Sequence, residues 1–452
     1  MPGLPPNPTV AEGLTRKTVR FLSALLMLLP GSFVMAGSWD YGANVGLNFN
    51  YNDNPTLADD DKDSESLSKM LASYNMDIIW QEPGKRFTFE PRVTRDYYFD
   101  SDNSDLENTD FFLPGQYIIS RARDSFGVNF DYRERNVLSE DSTILESSDS
   151  ANFRADDTQT TYGLGINYNL ILTPVDQLTF LGRWGKIDFD REFTGRNDSD
   201  NWNFSGTYSH NISARQSVGF GLNYSNFEAE GKNCLNFFTV VPPELSFDPC
   251  QPTQINAVNN SETDNYSATL NYSVNLTPSL NFIAKFGKQK SESTTSIKDT
   301  NGNDLIPSTD TDQDGETYDF ALNGDYQRYS FNLSAGRRVR PSTTGSAQNT
   351  TTLSLDQEYE ITPKLTGKLL LEGIERESVI RESNDTDLAD RKRRNYEGRL
   401  QLNWKIDRKW ATVLRYTFRK KDFDRTATID SIDATSNQIN IGVTYSLKRI
   451  KR

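Results

Sequence analysis

The chain has 452 residues, of which 35% are hydrophobic, 12% aromatic and 25% charged, with a formal net charge of −14. With a mean hydropathy of −0.67, no stretch after the N-terminal segment reaches the roughly 18 apolar residues that a spanning helix needs, which excludes helical membrane spans. The acidic balance argues against nucleic acid as a partner.

The first element is a targeting segment. Arg16, Lys17 and Arg20 precede the apolar run FLSALLMLLP, and the small residues of GSFVMAGS place a cut after Ala36. A basic region, a short hydrophobic core and small residues are the layout of a secretory signal, too short to span a bilayer. Residues 1–36 are expected to be a signal peptide with an unusual N-terminal extension, and residues 37–452 a single domain. Removing the signal takes away three basic residues and one acid, so the charge falls from −14 to −16.

From there one unit recurs: an alternating strand, a very short turn, a second alternating strand, then a long polar loop. Strand one places Tyr41, Ala43, Val45, Leu47, Phe49 and Tyr51 on one face. Tight turns follow at EPGK (82–85), RARD (121–124), LTPVD (172–176), NISAR (211–215), LTPSL (276–280), GDYQR (324–328), ITPKL (361–365) and KIDRK (405–409). Pro and Gly recur there because they fix or permit turn dihedrals and cannot continue a ladder. Long loops follow strand one and centre near residues 104, 147, 195, 245, 303, 345, 386 and 429. Eight tight turns and nine long loops connect eighteen strands, within a range of about sixteen to twenty. Both termini then share the tight-turn side. Only 101–124 alternates poorly.

The last strand repeats the pattern, with Ile439, Ile441, Val443, Tyr445 and Leu447 on one face and Gln438, Asn440, Gly442, Thr444 and Ser446 on the other. In lipid no water satisfies backbone N–H and C=O groups, so a spanning sheet must close on itself. One face of each strand then meets hydrocarbon and the other a wet lumen. The expected fold is all-β: a closed transmembrane antiparallel up-and-down β-barrel. Trp80, Trp184, Trp202, Trp404 and Trp410 sit near strand ends, where an aromatic girdle belongs. A secreted sandwich or solenoid would use shorter strands and would not alternate short and long connections along the whole chain.

In detail the chain resembles bacterial outer-membrane barrels. Asn440, Gly442, Tyr445 and Leu447 in NIGVTYSL resemble the C-terminal signal read by the outer-membrane assembly machinery, although the tail KRIKR follows it. Tyr51, Asp53, Asn54 and Pro55 in NFNYNDNPTL resemble the beta-barrel porin type 2 family of bacteria. That resemblance implies an outer-membrane location with both termini periplasmic, membrane lipid and lipopolysaccharide as neighbours, and for some members a link to exopolysaccharide systems. A homo-trimer is an expectation by analogy with porins.

Candidate sites are few. Cys234 and Cys250 lie in the longest expected loop, 230–262, and an oxidising periplasm favours a disulfide between them. Arg133, Arg135, Arg183, Lys285, Arg399, Lys405, Arg415 and Arg419 fall on the lumen-facing positions, offset by Asp77, Asp131, Asp356 and Glu358. Arg399, Lys405, Arg415 and Arg419 cluster on two sequential strands. They form either a basic ladder for anionic solutes or a solvated, neutralised wall. Asp310, Asp312 and Asp314 in DTDQDGE are spaced like the start of a calcium loop, but Ala321 stands where the bidentate acid belongs. An acidic surface loop, at most holding calcium loosely, is the expectation, with no other cofactor. His210 is the single histidine and sits at a tight turn, so no enzyme is expected. The GLG run at 163–165 reads as small lumen-facing or barrel-bend residues. The leading function is a porin-like channel for hydrophilic solutes, saccharides or surface polysaccharide among them. The alternative is a non-conducting surface barrel whose acidic loops bind a partner or stabilise the envelope.

Overall fold

In the computed structural model the described residues are 37–54, 66–99, 109–136, 158–189, 197–233, 257–299, 302–341, 347–378, 392–423, 432–447 and 449–451. Among them there is no helix. The first six strands are β1 (Ser38–Asn52), β2 (Leu67–Glu82), β3 (Lys85–Phe89 and Arg92–Tyr98), β4 (Thr109–Ser120), β5 (Asp124–Asn136) and β6 (Thr158–Ile171). The next six are β7 (Asp176–Phe189), β8 (Asn197–Ser213), β9 (Gln216–Asn233), β10 (Ala257–Thr277), β11 (Leu280–Asp299) and β12 (Asp304–Asp325). The last six are β13 (Tyr329–Pro341), β14 (Ala347–Thr362), β15 (Leu365–Ser378), β16 (Lys392–Lys405), β17 (Trp410–Phe423) and β18 (Ile432–Ser446, resumed at Ile450–Lys451). Each pairs antiparallel with the next, and β18 pairs with β1, so eighteen strands close into a barrel. β3 is interrupted because Pro91 has no N–H for the ladder. The register resumes unchanged beyond it, with Ile78 opposite Phe89 and Asn75 opposite Arg92.

The period of two decides the faces. Along β1, Val45, Leu47, Phe49 and Tyr51 stand exposed on the outer face, while Asn50 and Asn52 are buried on the inner one. Register carries the outer row round the cylinder: Phe49 lies opposite Ile441, Ile441 opposite Leu414, and Leu414 opposite Leu402. Leu270 is 66% exposed, which no packed core would leave. At about 25 cal/mol per Å² of apolar surface, such a belt is stable only against hydrocarbon. Trp404 and Trp410 flank one tight turn and mark that rim of the belt. Trp184 and Trp202, with ring centroids 6.1 Å apart, lie well away from it.

All eight expected tight turns are present, but three other stretches differ from the sequence reading. The expected loop near residue 303 is a short turn, because β11 and β12 run on as paired strands to Lys298 and Asp304. The expected loop 230–262 is narrower: β9 reaches Asn233 and β10 begins at Ala257. The poorly alternating stretch holds β4, whose inner face carries Phe112, Pro114 and Ile118 beside the outer Phe111, Leu113 and Tyr117. With apolar residues on both faces, the period disappears.

Closure of the barrel rests on a small polar seam. Ser436 Oγ donates to Asn52 Oδ1 at 2.7 Å, and the Asn54 N–H donates to the same oxygen at 3.1 Å. Asn54 Nδ2 donates to the Thr435 carbonyl at 2.9 Å. Asn52, together with Asp53 and Asn54 of the family-like motif, thus binds the first strand to the last, while Pro55 lies outside the described residues. At the opposite end the tail is part of the wall. Ile450 and Lys451 pair with Tyr41 and Asp40, and Arg449 reaches Asp40 at 3.4 Å and Asp77 at 3.7 Å.

Candidate functional site in the barrel lumen

The inner face of β3 to β7 forms a recess of about 800 Å³ lined by Glu90, Asn129, Asp131, Arg133, Arg135 and Arg183 among others. Two buried glycines of β6 lie beneath the Asn129 and Asp131 side chains that line it. A Cβ on Gly163 would stand 2.3 Å from Asp131 Oδ1, and one on Gly165 would stand 2.4 Å from Asn129 Oδ1. Only glycine therefore lets these two side chains lie flat along the wall and leave open space before them. The register builds the rest, with Gln116 opposite Asn129 and Gly165 opposite Arg183. Arg135 Nε donates to Gln159 Oε1 at 2.9 Å, fixing both buried groups at the upper edge. Arg183 is exposed to the lumen. The recess thus offers guanidinium donors, carboxylate and amide acceptors, and the ring of Phe112.

β16, nine strands from Arg183 in either direction, and its neighbour β17 carry a second group. Glu397 accepts from Arg399 at 2.5 Å and from Arg419 at 3.2 Å. Arg415 Nε donates to Gln401 Oε1 at 2.8 Å, and Gln401 Nε2 donates to Asn403 Oδ1 at 2.8 Å. Glu397, with Glu372 directly opposite it on β15, therefore stands among three arginines. Lys285 and Lys405 do not join either group. Lys285 lies on β11 opposite Asp319, and Lys405 ends β16 at the tight-turn rim. The inner wall also holds compensated pairs, Lys69 with Asp96 at 3.1 Å and Lys368 with Glu358 at 2.7 Å.

Asp310, Asp312 and Asp314 do not sit in a loop. They follow one another on the outer face of β12, opposite Thr294, Glu292 and Lys290, so the bend that a calcium loop requires is missing. Cys234 and Cys250 lie outside the described residues, as do residues 1–36. Of the assembly-signal residues, Asn440 and Gly442 face the lumen, with Asn440 opposite Asn50. Tyr445 packs on Trp410 with ring centroids 4.9 Å apart, and the Leu447 N–H donates to the Ala43 carbonyl at 2.8 Å. A Cβ on Gly442 would come within 1.8 Å of Asn48 Oδ1. His210 Nδ1 lies 2.8 Å from Asp176 Oδ1 on the outer face at the tight-turn rim, apart from both lumen groups.

Sequence reading placed the three arginines of the recess but missed Glu90, Gln116, Asn129, Gln159 and Thr161. The available signal was the spacing of Gly163 and Gly165 with polar residues at 129 and 131, which acquires meaning only through register.

No family model matches the chain, so the beta-barrel porin type 2 resemblance gains no support there, and no curated protein matches it either. Solved structures do. The ferric citrate transporter FecA in its unliganded form is similar at 9% identity and a TM-score of 0.53, over 90% of this chain and 79% of that one. The ferric-catecholate import receptor Fiu from K12 E. coli is similar at 8% identity and a TM-score of 0.50, over 90% of this chain and 82% of that one. OccAB3 of Acinetobacter baumannii aligns over 90% of this chain and 99% of its own at 12% identity, with a TM-score of 0.44. The first two establish the fold: a barrel of the outer-membrane type.

Proposed function

We propose that this barrel conducts small hydrophilic solutes across a bacterial outer membrane, with hydroxyl-rich anionic solutes such as acidic saccharides favoured. The observation that carries this reading is the lumen recess in which Arg133 and Arg183 stand with Asn129 and Asp131, whose side chains lie over Gly165 and Gly163. Arginine presents a planar fork matched to carboxylates, and amides bond hydroxyl groups in either direction. The second arginine group, nine strands away, adds a positive potential from the facing wall. Short turns at one rim and mostly longer connections at the other, the turn near residue 303 excepted, agree with periplasmic termini and with insertion by the assembly machinery. Neighbouring lipopolysaccharide and a trimeric assembly belong to the same reading.

Reconstitution in planar bilayers tests it. Discrete conductance steps are expected, with anions more permeant than cations. Arg183→Glu should move the permeability ratio toward cations by about twofold or more. A folded barrel that inserts and stays silent would reject conduction and favour the surface-binding alternative.

A further inference from the structure

β12 is the longest strand, 22 residues, yet its pairing with β13 covers only Tyr318–Asp325 against Ser330–Arg337. Beyond Arg337, β13 leaves the register. Its Val339 carbonyl accepts from Gln289 Nε2 at 2.7 Å, and its N–H donates to Gln289 Oε1 at 3.3 Å. Gln289 belongs to β11 and reaches Val339 past Gly315, where a Cβ would stand 2.8 Å from Val339 Cγ2. The β13 strand is thereby drawn to the lumen side. Among the described residues, the stretch from Asp310 to Thr317 has no strand beside it on the β13 side.

Main-chain groups alternate sides along a strand. The Asp325 N–H points to β11, donating to the Ser279 carbonyl at 2.8 Å. Counting back by two, Thr317, Gly315, Gln313 and Thr311 turn their N–H and C=O groups to β11. Asp310, Asp312, Asp314 and Glu316 turn theirs to the open side. Their side chains also face outward and are exposed. The outer face changes from Leu322, Phe320 and Tyr318 to this acidic row where the pairing ends, so the edge emerges from the lipid belt into water.

We propose that this open edge of β12 takes an extended polypeptide as an added strand, one that carries lysine or arginine at alternate positions. Unpaired edge groups are a template for strand addition. The acidic row selects the occupant. A second copy of the same edge would set carboxylate against carboxylate, whereas side chains of an added strand recur at the same two-residue period and would meet each acid with a cation. This assignment is independent of conduction.

The test uses the full-length protein in detergent, with fluorescent peptides that alternate threonine with lysine or threonine with glutamate. A third peptide has the threonine–lysine sequence with every backbone nitrogen methylated, keeping the charge but lacking its N–H groups. The threonine–lysine peptide should bind by anisotropy, and the other two should bind at least about tenfold more weakly. Asp312→Pro, a substitution that edge strands tolerate, should weaken binding similarly. So should the Asp310→Asn, Asp312→Asn, Asp314→Asn triple variant, which keeps the edge groups and removes charge. Equal binding of the N-methylated peptide would reduce the effect to charge attraction and overturn the proposal. Absence of binding by the threonine–lysine peptide, or binding undiminished in Asp312→Pro, would overturn it as well.

Discussion

Asp53 holds Asn437 at three points. Its Oδ1 accepts from the Asn437 N–H at 2.6 Å, its Oδ2 accepts from Asn437 Nδ2 at 2.8 Å, and its own N–H donates to the Asn437 carbonyl at 3.2 Å. The two residues are 384 apart in sequence, so this contact joins the first strand to the last where the cylinder closes. Asn437 in turn accepts from the Tyr416 hydroxyl at 2.6 Å, tying the seam to β17.

Asp53→Ala removes two acceptors and leaves two Asn437 donors without them. The expected cost is about 1–3 kcal/mol, seen as a lower temperature for conversion of the compact to the extended band on unboiled gels. Asn54→Ala should act in the same direction more weakly. An unchanged conversion temperature for Asp53→Ala would mean that the seam is held elsewhere.

Pushing Asp131 into the recess should separate conduction from folding. Gly163→Leu displaces Asp131, which a Cβ already meets at 2.3 Å, and fills space before Arg133 and Arg183. Overpacking of this kind costs about 1–3 kcal/mol, tolerable in a barrel. The expected result is a smaller single-channel conductance and weaker current block by an acidic oligosaccharide. Native block in this variant would move the binding site elsewhere in the lumen.

Acid should loosen the last tight turn first through Asp407. Its Oδ1 accepts from the Lys409 N–H at 2.6 Å and the Trp410 N–H at 2.8 Å, and these bonds hold the carboxyl below its usual value of 3.8. A carboxylate whose folded pKa is depressed contributes stability that is fully present above the ordinary value. That contribution is lost as pH falls through the folded one. Relative to Asp407→Asn, the native chain should therefore hold a constant advantage above about pH 4 that shrinks below it. An advantage that grew on acidification would contradict the assignment.

Much of the barrel was legible because its alternation is a local property. Tyr41 to Tyr51 and Ile439 to Leu447 declare their faces without any partner, and Pro or Gly marks several of the tight turns. Above the lipid belt that signal stops. On β12, Asp312 faces out and Thr311 and Gln313 face in, both polar, so a paired strand reads as an acidic loop. On β4 the opposite occurs, with Phe112 inside and Phe111 outside. The lumen arginines were legible one at a time, but their grouping was not. That Arg183 stands beside Gly165 and that Asn52 meets Ser436 depends on register between strands, which composition does not encode locally.

Scanning β18 by cysteine substitution from Gln438 to Thr444, in a chain with Cys234 and Cys250 replaced by serine, tests the central claim most directly. With the protein in liposomes, a charged thiol reagent should label Gln438→Cys, Asn440→Cys and Thr444→Cys and spare Ile439→Cys, Ile441→Cys and Val443→Cys. Labelling at consecutive positions alike, or at the odd positions alone, would mean that this strand does not divide hydrocarbon from an aqueous bore.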